Sequence, residues 1–238
     1  MTPDGYAEII FTFGSSCSIA TPNGWQPLPS PLLVRLLNQP IRFRVQSRLE
    51  VIGIKCFPWA VFDLLGLPLR LAGVQQVAYP MAQLQAPLQQ LLAAGRVTDA
   101  LATVARYFEL IQARRAGDPL LGKAGSALRA AGGTLPVRQV AAAAHTTVRT
   151  LERKFQQAAG RTVKGVAQLL RLEQARNRLW QHPTANLAGL AQELGYADQA
   201  HLGREFKRYC GTTPAAFARQ AQRWQQTVGT DFVAFVLA

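Results

Sequence analysis

Apolar positions in the C-terminal half of the chain recur at helical spacing and are cut into short runs. Leu187, Leu190, Ala191 and Leu194 fall at i, i+3, i+4 and i+7, one apolar face of a two-turn helix. Gly195 closes that helix, because a residue tolerant of left-handed dihedrals ends a helix abruptly. Asp198 stands where a carboxylate caps the next helix and suits its dipole, and Leu202, Phe206 and Tyr209 turn inward along it. Gly211 stops this second helix, and Thr213-Pro214 opens another with a cap and then proline at the first helical position. Gln199, Gly203, Arg204, Lys207 and Arg208 are left outside.

The same pattern occurs earlier in the chain. Val140-Ala141 corresponds to Leu190-Ala191, an offset of 50, while Leu151, Arg153, Phe155, Gly160 and Thr162 correspond to Leu202, Arg204, Phe206, Gly211 and Thr213, an offset of 51. The second copy therefore has one extra residue in its turn. Each unit reads as a short helix, a turn and a longer helix, which is the geometry of a helix-turn-helix whose second helix enters the DNA major groove. In the first copy Val137, Val140, Ala141 and Ala144 are expected inside, Thr147 caps the longer helix, and Val148, Arg149, Glu152 and Arg153 face outward. Between the copies, 162–181 reads as one long helix capped by Thr162, with Arg171 and Arg178 on a common face suited to phosphates.

The N-terminal pattern is different. Residues 6–13, 32–37, 41–46 and 49–57 are short apolar or alternating runs rich in Ile, Val and Phe, separated by Gly, Pro and Asn, and they predict strands. Two helices are expected at about 83–94 and 97–115. In the second, Val97, Leu101, Val104, Phe108 and Ile111 form a seam that either packs on the sheet or pairs two subunits as a homodimer. The tail TDFVAFVLA (230–238) is strand-like, too short for a membrane span and too apolar to leave in water, so it is expected to pack back as an added strand. This gives an α+β chain with a β-rich domain and its helices at 1–115, a linker at 116–122, a helical domain at 123–226 and an apolar tail at 227–238.

Charge sharpens this division. Of the net +13, residues 1–122 hold 10 Lys and Arg against 7 Asp and Glu, whereas 123–238 hold 16 against 6. The basic half is the helical half, and its cations are spread over several short helices, which favours nucleic acid over a membrane surface. With 49% apolar residues, no membrane-length apolar run and no basic-then-apolar leader pattern, a globular cytoplasmic protein is expected. Cys17, Cys56 and Cys210 are dispersed and predict idle thiols, and His145, His182 and His201 lack partners at metal-ligand spacing.

The stretch LGYADQAHLGREFKRYCGTTPAAFAR (194–219), with RLEQAR (171–176) on the helix joining two helix-turn-helices, resembles the DNA-binding domain of the AraC/XylS family of bacterial transcription regulators. The resemblance covers roughly 125–224. It implies an all-α double helix-turn-helix, double-stranded DNA as partner, and RNA polymerase as a further partner if the protein activates. The family's base-reading places fall on Arg149, Glu152 and Arg153 in the first copy and on Gln199, Ala200, Gly203 and Arg204 in the second, with Lys207, Arg171 and Arg178 beside them. His145 stands where the family usually has glycine, and Ala197 where it usually has serine. Ala200 and Gly203 are short, so Gln199 and Arg204 are left to contact bases in the second copy. DGYAEIIFTFG and LEVIGIKCFPWAVFDLLGLPLRLAGVQQ resemble the small cupin-like sensor domain found in some members, beginning at what would be an interior strand.

Catalysis is not expected. The histidines all lie in the C-terminal half, away from any cupin-like site, and no nucleophile elbow, phosphate loop or Cys/His pair is present. No cofactor or metal is implied. Phe11, Phe13, Phe43, Ile54 and Trp59 either line a pocket for a small-molecule effector or fill the core. Two functions then compete: a sequence-specific transcription regulator with an effector domain, and a basic architectural protein that binds nucleic acid without sequence preference.

Overall fold

A computed structural model describes residues 1–65, 73–77, 80–114, 117–227 and 235–237. The sheet region is built on β1 (Ala7–Gly14) and β6 (Leu49–Cys56), paired antiparallel with Ile9 opposite Ile54 and Phe11 opposite Ile52. Strict alternation sends Ala7, Ile9, Phe11 and Phe13 of β1 inward, together with Ile52, Ile54 and Cys56 of β6. With β4 (Leu32–Val34), β7 (Val74–Gln76) and β8 (Phe235–Leu237) these strands form a five-stranded sheet in the order β7-β4-β1-β6-β8. A second sheet of three strands, β3-β2-β5, comprises β2 (Cys17–Thr21), β3 (Gly24–Pro27) and β5 (Phe43–Val45). The pattern reading missed β2, β3 and β7, which are short and lack a run of apolar residues.

Helices α2 (Gln85–Ala93) and α3 (Val97–Arg114) close the inner face of the larger sheet. Leu88, Ala100, Val104 and Phe108 bury against Ile9, Phe11 and Ile54. The seam on α3 is therefore mainly a sheet-packing face: Val104 and Phe108 lie inside, whereas Val97 is 52% exposed. The tail strand β8 pairs parallel with β6, bringing Phe235 opposite Ile54.

The expected linker is shorter than its composition implied. Pro119–Ala130 forms α4, with proline in its first turn and the Asp118 carboxylate accepting from the Leu120 N–H at 2.9 Å. Residues 119–122 are thus helical, and 115–116 lie outside the described residues. The same holds for 228–234 of the tail.

One hydrophobic core crosses from the sheet region into the helices. Phe57 and Trp59, at the start of α1 (Pro58–Leu65), stack 5.0 Å apart, and Trp59 meets Phe155 at 5.8 Å. Helix α4 approaches Trp59 so closely that a Cβ on Gly125 would lie 2.2 Å from its ring. Leu36, Phe57 and Trp59 share a core with Leu121, Val140, Leu151, Phe155 and Leu172. Arg161 donates to the Leu36 carbonyl, and Arg176 donates to Thr2 and to the Pro3 carbonyl.

Candidate nucleic-acid interface

Helices α5 (Val137–Ala143) and α6 (Val148–Ala159) form the first helix-turn-helix; α8 (Leu187–Glu193) and α9 (Gln199–Cys210) form the second. Both longer helices have the expected starts. Thr147 Oγ1 accepts from the Thr150 N–H, and Asp198 Oδ1 accepts from the His201 N–H at 2.6 Å. Both end on left-handed glycines, Gly160 and Gly211. In the first turn His145 adopts φ 50°, the dihedral that Gly195 supplies with φ 70° in the second. Leu151, Phe155, Leu202, Phe206 and Tyr209 are buried as their spacing requires.

Between the copies runs α7 (Val163–Gln181), whose first turn is capped by Thr162 Oγ1 accepting from the Gly165 N–H. Val166, Leu169, Leu170, Leu172 and Leu179 bury on it, so both units are fixed to one rigid rod. Helix α10 (Pro214–Thr227) follows the second unit and packs on α7 and α9.

The predicted base-reading residues divide into two groups. Arg149 and Arg153 on α6 are exposed near its N-terminus, as are Gln199, Ala200 and Arg204 on α9; Gly203 is half-buried with open space above its Cα. Lys207 and Arg208 continue the exposed basic face. The glutamates that would have neutralised the arginines are occupied elsewhere. Glu152 accepts from the Val163 N–H at 3.1 Å, and Glu205 accepts from the Tyr196 hydroxyl at 2.9 Å. Glu152 therefore supports the start of α7 and does not project with Arg149 and Arg153.

The two arginines expected to meet phosphates are also differently employed. Arg171 lies over the Tyr196 ring and donates to the Gly195 carbonyl, while Arg178 pairs with Glu193. Both tie the spacer to the second unit. Their periodicity placed them on one face of α7, and the packing of α8 and its turn brings Gly195 and Glu193 to that face as partners.

Sequence reasoning also missed two polar residues on inward stripes. Glu205 sits between Leu202 and Tyr209, and Lys154 occupies the corresponding position between Leu151 and Ala158. A charge at such a place signals a partner that a helical pattern alone does not name. Lys154 pairs with Asp118, the cap of α4. Burial works to raise the Asp118 carboxyl, but Lys154 and the Leu120 N–H outweigh it and hold it below the usual carboxylate range. Burial, then the charge and hydrogen bond of Glu205, push the Tyr196 hydroxyl up, so it remains a donor at all ordinary pH.

The proposed effector-lining residues are dispersed. Phe11, Phe13 and Ile54 belong to the core under α2 and α3, Trp59 belongs to the core shared with the helices, and Phe43 pairs with Ile19 in the smaller sheet. Where the sheet region meets α7, Asp4 pairs with Lys55 at 2.9 Å beside Glu173 and Glu8. Burial first, and Asp4 next, push the Glu173 carboxyl up to about 7. Burial likewise raises the Cys56 thiol to about 12 and the Cys210 thiol to about 11, so both stay protonated.

Two capped helices on a shared spacer make a double helix-turn-helix. Residues 140–220 match the family model described as a helix-turn-helix domain. No curated protein sequence matches the chain. Among solved structures, ToxT from Vibrio cholerae is 9% identical, with 92% of this chain and 91% of that one covered at a TM-score of 0.52. A ToxT structure with an unsaturated fatty acid bound is 10% identical, covering 92% and 87% at 0.50. The DNA-binding domain of AdpA, solved with a target DNA, is 24% identical over 47% of this chain and 100% of that one, at 0.42.

The ToxT likeness extends the shared fold across both halves. Residues 140–220 are thus similar to a helix-turn-helix domain, in keeping with the two units seen in the fold. Among the described residues, no helix is long and apolar enough to cross a membrane.

Proposed function

We propose that the protein is a sequence-specific transcription regulator in which α6 and α9 read successive major grooves on one face of DNA. The observation that carries this is the pair of exposed N-terminal faces, Arg149 with Arg153 and Gln199 with Arg204, on helices capped alike and held by one spacer. Arginine donates bidentately to guanine and glutamine to adenine, so these residue types suit base edges. The spacer is about 28 Å long at 1.5 Å per residue, comparable to the ~34 Å between major grooves on one face. Ala200 and Gly203 leave α9 fewer side chains that reach bases, so α6 carries more of the specificity. Lys207 and Arg208 supply phosphate attraction.

Selection of bound sequences from random duplex DNA tests this reading. Enrichment of a site about 15–20 base pairs long, two major grooves wide, supports it. Affinity that falls with salt but enriches no sequence would instead support a basic architectural protein.

A small-molecule effector acting through the N-terminal domain completes the proposal. The fatty acid bound to ToxT, which shares this fold, supports an apolar effector. The packing of Phe57 and Trp59 on Phe155 offers a route from the sheet to the first reading helix. An unsaturated fatty acid that binds the folded chain would raise its melting temperature in a concentration-dependent way. No shift at any concentration below the onset of micelles would remove this part.

A further inference from the structure

The second unit contains a polar relay that the first does not. Its turn is one residue longer, and Tyr196 uses the added space to turn inward, where it is 4% exposed. The ring lies between the Arg171 guanidinium, 5.1 Å from its centroid, and the edge of His201 at 5.3 Å. Its hydroxyl donates to Glu205 Oε1 at 2.9 Å. The inserted Ala197 directs its N–H at His201 Nδ1, 3.4 Å away, which leaves the Nε2 hydrogen facing Glu205 Oε2 at 4.0 Å. Glu205 is 7% exposed, and a leucine there would continue the apolar stripe of Leu202, Phe206 and Tyr209.

A buried carboxylate is costly unless its hydrogen bonds are made, and here the Tyr196 hydroxyl supplies one. What the carboxylate at 205 adds to the apolar stripe is direction. The chain Arg171, Tyr196, Glu205 runs from the spacer through the turn to the middle of the second helix, nearly two helical turns beyond Gln199 and beside Arg204. We propose that Glu205 is a positioning residue for the second reading helix: through Tyr196 and Arg171 it fixes the rotation of α9 on the spacer and so sets where Gln199 and Arg204 meet the bases. This rests on the reading of α9 as a base-contacting helix. The first copy is held at the corresponding position by other means, Lys154 reaching Asp118 on α4. The two reading helices are thus aligned by separate devices, and each can be disturbed alone.

The test uses the full chain and selection from random duplex DNA, with unfolding midpoints measured in parallel. Positions read by each helix are assigned from those that relax in Arg153→Ala and in Arg204→Ala. Glu205→Leu is expected to lower base preference about tenfold at the positions assigned to α9, a loss typical of one displaced base contact, with preference at the α6 positions unchanged. Glu205→Gln, which keeps an acceptor for Tyr196, should restore most of that preference. Tyr196→Phe should reproduce the loss and add nothing in the Glu205→Leu background, because both act along one path.

If Glu205→Leu leaves the α9 positions unchanged, or if both sets relax equally as the midpoint falls, the residue is structural only and the inference is overturned. Should Glu205→Leu not fold, Tyr196→Phe and Arg171→Met carry the same comparison. A wild-type chain that enriches no sequence overturns the base-reading function itself, a result distinct from unchanged α9 preference in a chain that does select a site.

Discussion

The two helix-turn-helix units share their caps, their left-handed terminators and their buried Leu and Phe, yet they are supported from different directions. The first leans on the sheet region: Trp59 packs on Phe155, Gly125 of α4 lies against Trp59, and Lys154 is paired with the cap of α4. The second is held by the spacer through Arg171, Arg178 and the buried Tyr196–Glu205 pair; the sheet region reaches it where Pro40 lies beside Gly211. A repeated motif thus supplies two similar helices, and their surroundings decide which of them packs against the N-terminal region. A change in how α1 sits would reach the first helix directly through aromatic packing and the second through the rigid spacer.

Trp59→Ala would break this comparison most severely. Removing a buried aromatic side chain costs about 3–5 kcal/mol, and here the cavity would open beside Phe155. Denaturant unfolding should show a much lower midpoint, and hydrogen exchange should show protection lost in α6 before α9. Equal loss in both helices would mean that the two supports are not separate.

The next effect is on DNA. Arg153→Ala and Arg204→Ala should each cost about 1–3 kcal/mol at one base position if they read guanine, and should weaken all sequences alike if they hold phosphate. Competition binding against substituted sites distinguishes these outcomes. With Ala200 and Gly203 on α9, the larger loss of specificity is expected from Arg153. A larger loss from Arg204 would reverse the ranking of the copies.

Cap removal gives a smaller effect, about 0.5–2 kcal/mol. Asp198→Ala is expected to cost more than Thr147→Ala, because a carboxylate also meets the helix dipole. Thermal melts of the two variants measure the difference.

The mildest test is pH. A carboxyl raised on folding stabilises the folded chain below its ordinary value of 4.5, and that contribution is lost as pH rises through about 7. Glu173 sits where α7 meets Gly5 and Asp4, so its protonation favours the docked arrangement. Wild type should therefore gain stability relative to Glu173→Gln as pH falls from about 8 to about 5, measured by denaturant midpoints. Parallel profiles for the two proteins would show that Glu173 does not bear on docking.

Much of the helical half was legible because its information is local. Apolar spacing, glycine at the two terminators and oxygen-bearing caps each act within one turn, so Thr147, Thr162, Asp198, Gly160 and Gly211 take the roles their positions predict. The exposed side of each reading helix follows from the same periodicity, which is why Arg149, Arg153, Gln199 and Arg204 are found facing outward. In the sheet region, alternation revealed β1 and β6, whereas β2, β3 and β7 are short, lie at or near sheet edges and carry little pattern.

The partners of long side chains were not legible. Periodicity gives the face of a helix but not the partners on it: Arg171 and Arg178, expected on a face suited to phosphates, also tie α7 to the second unit. Glu152 caps a helix eleven residues on, and Glu205 is buried against a tyrosine across the turn. The aromatic residues of the N-terminal half were equally apolar in sequence, and only tertiary packing assigned Phe11 to the sheet core and Trp59 to the first reading helix. By itself, then, the sequence determined two capped, outward-facing basic helices on a common rod, because those features depend on neighbours a few residues away. Their separate supports, and hence which helix the N-terminal domain can reach, were decided by contacts between residues as far apart as Trp59 and Phe155, where shape and burial choose the partner.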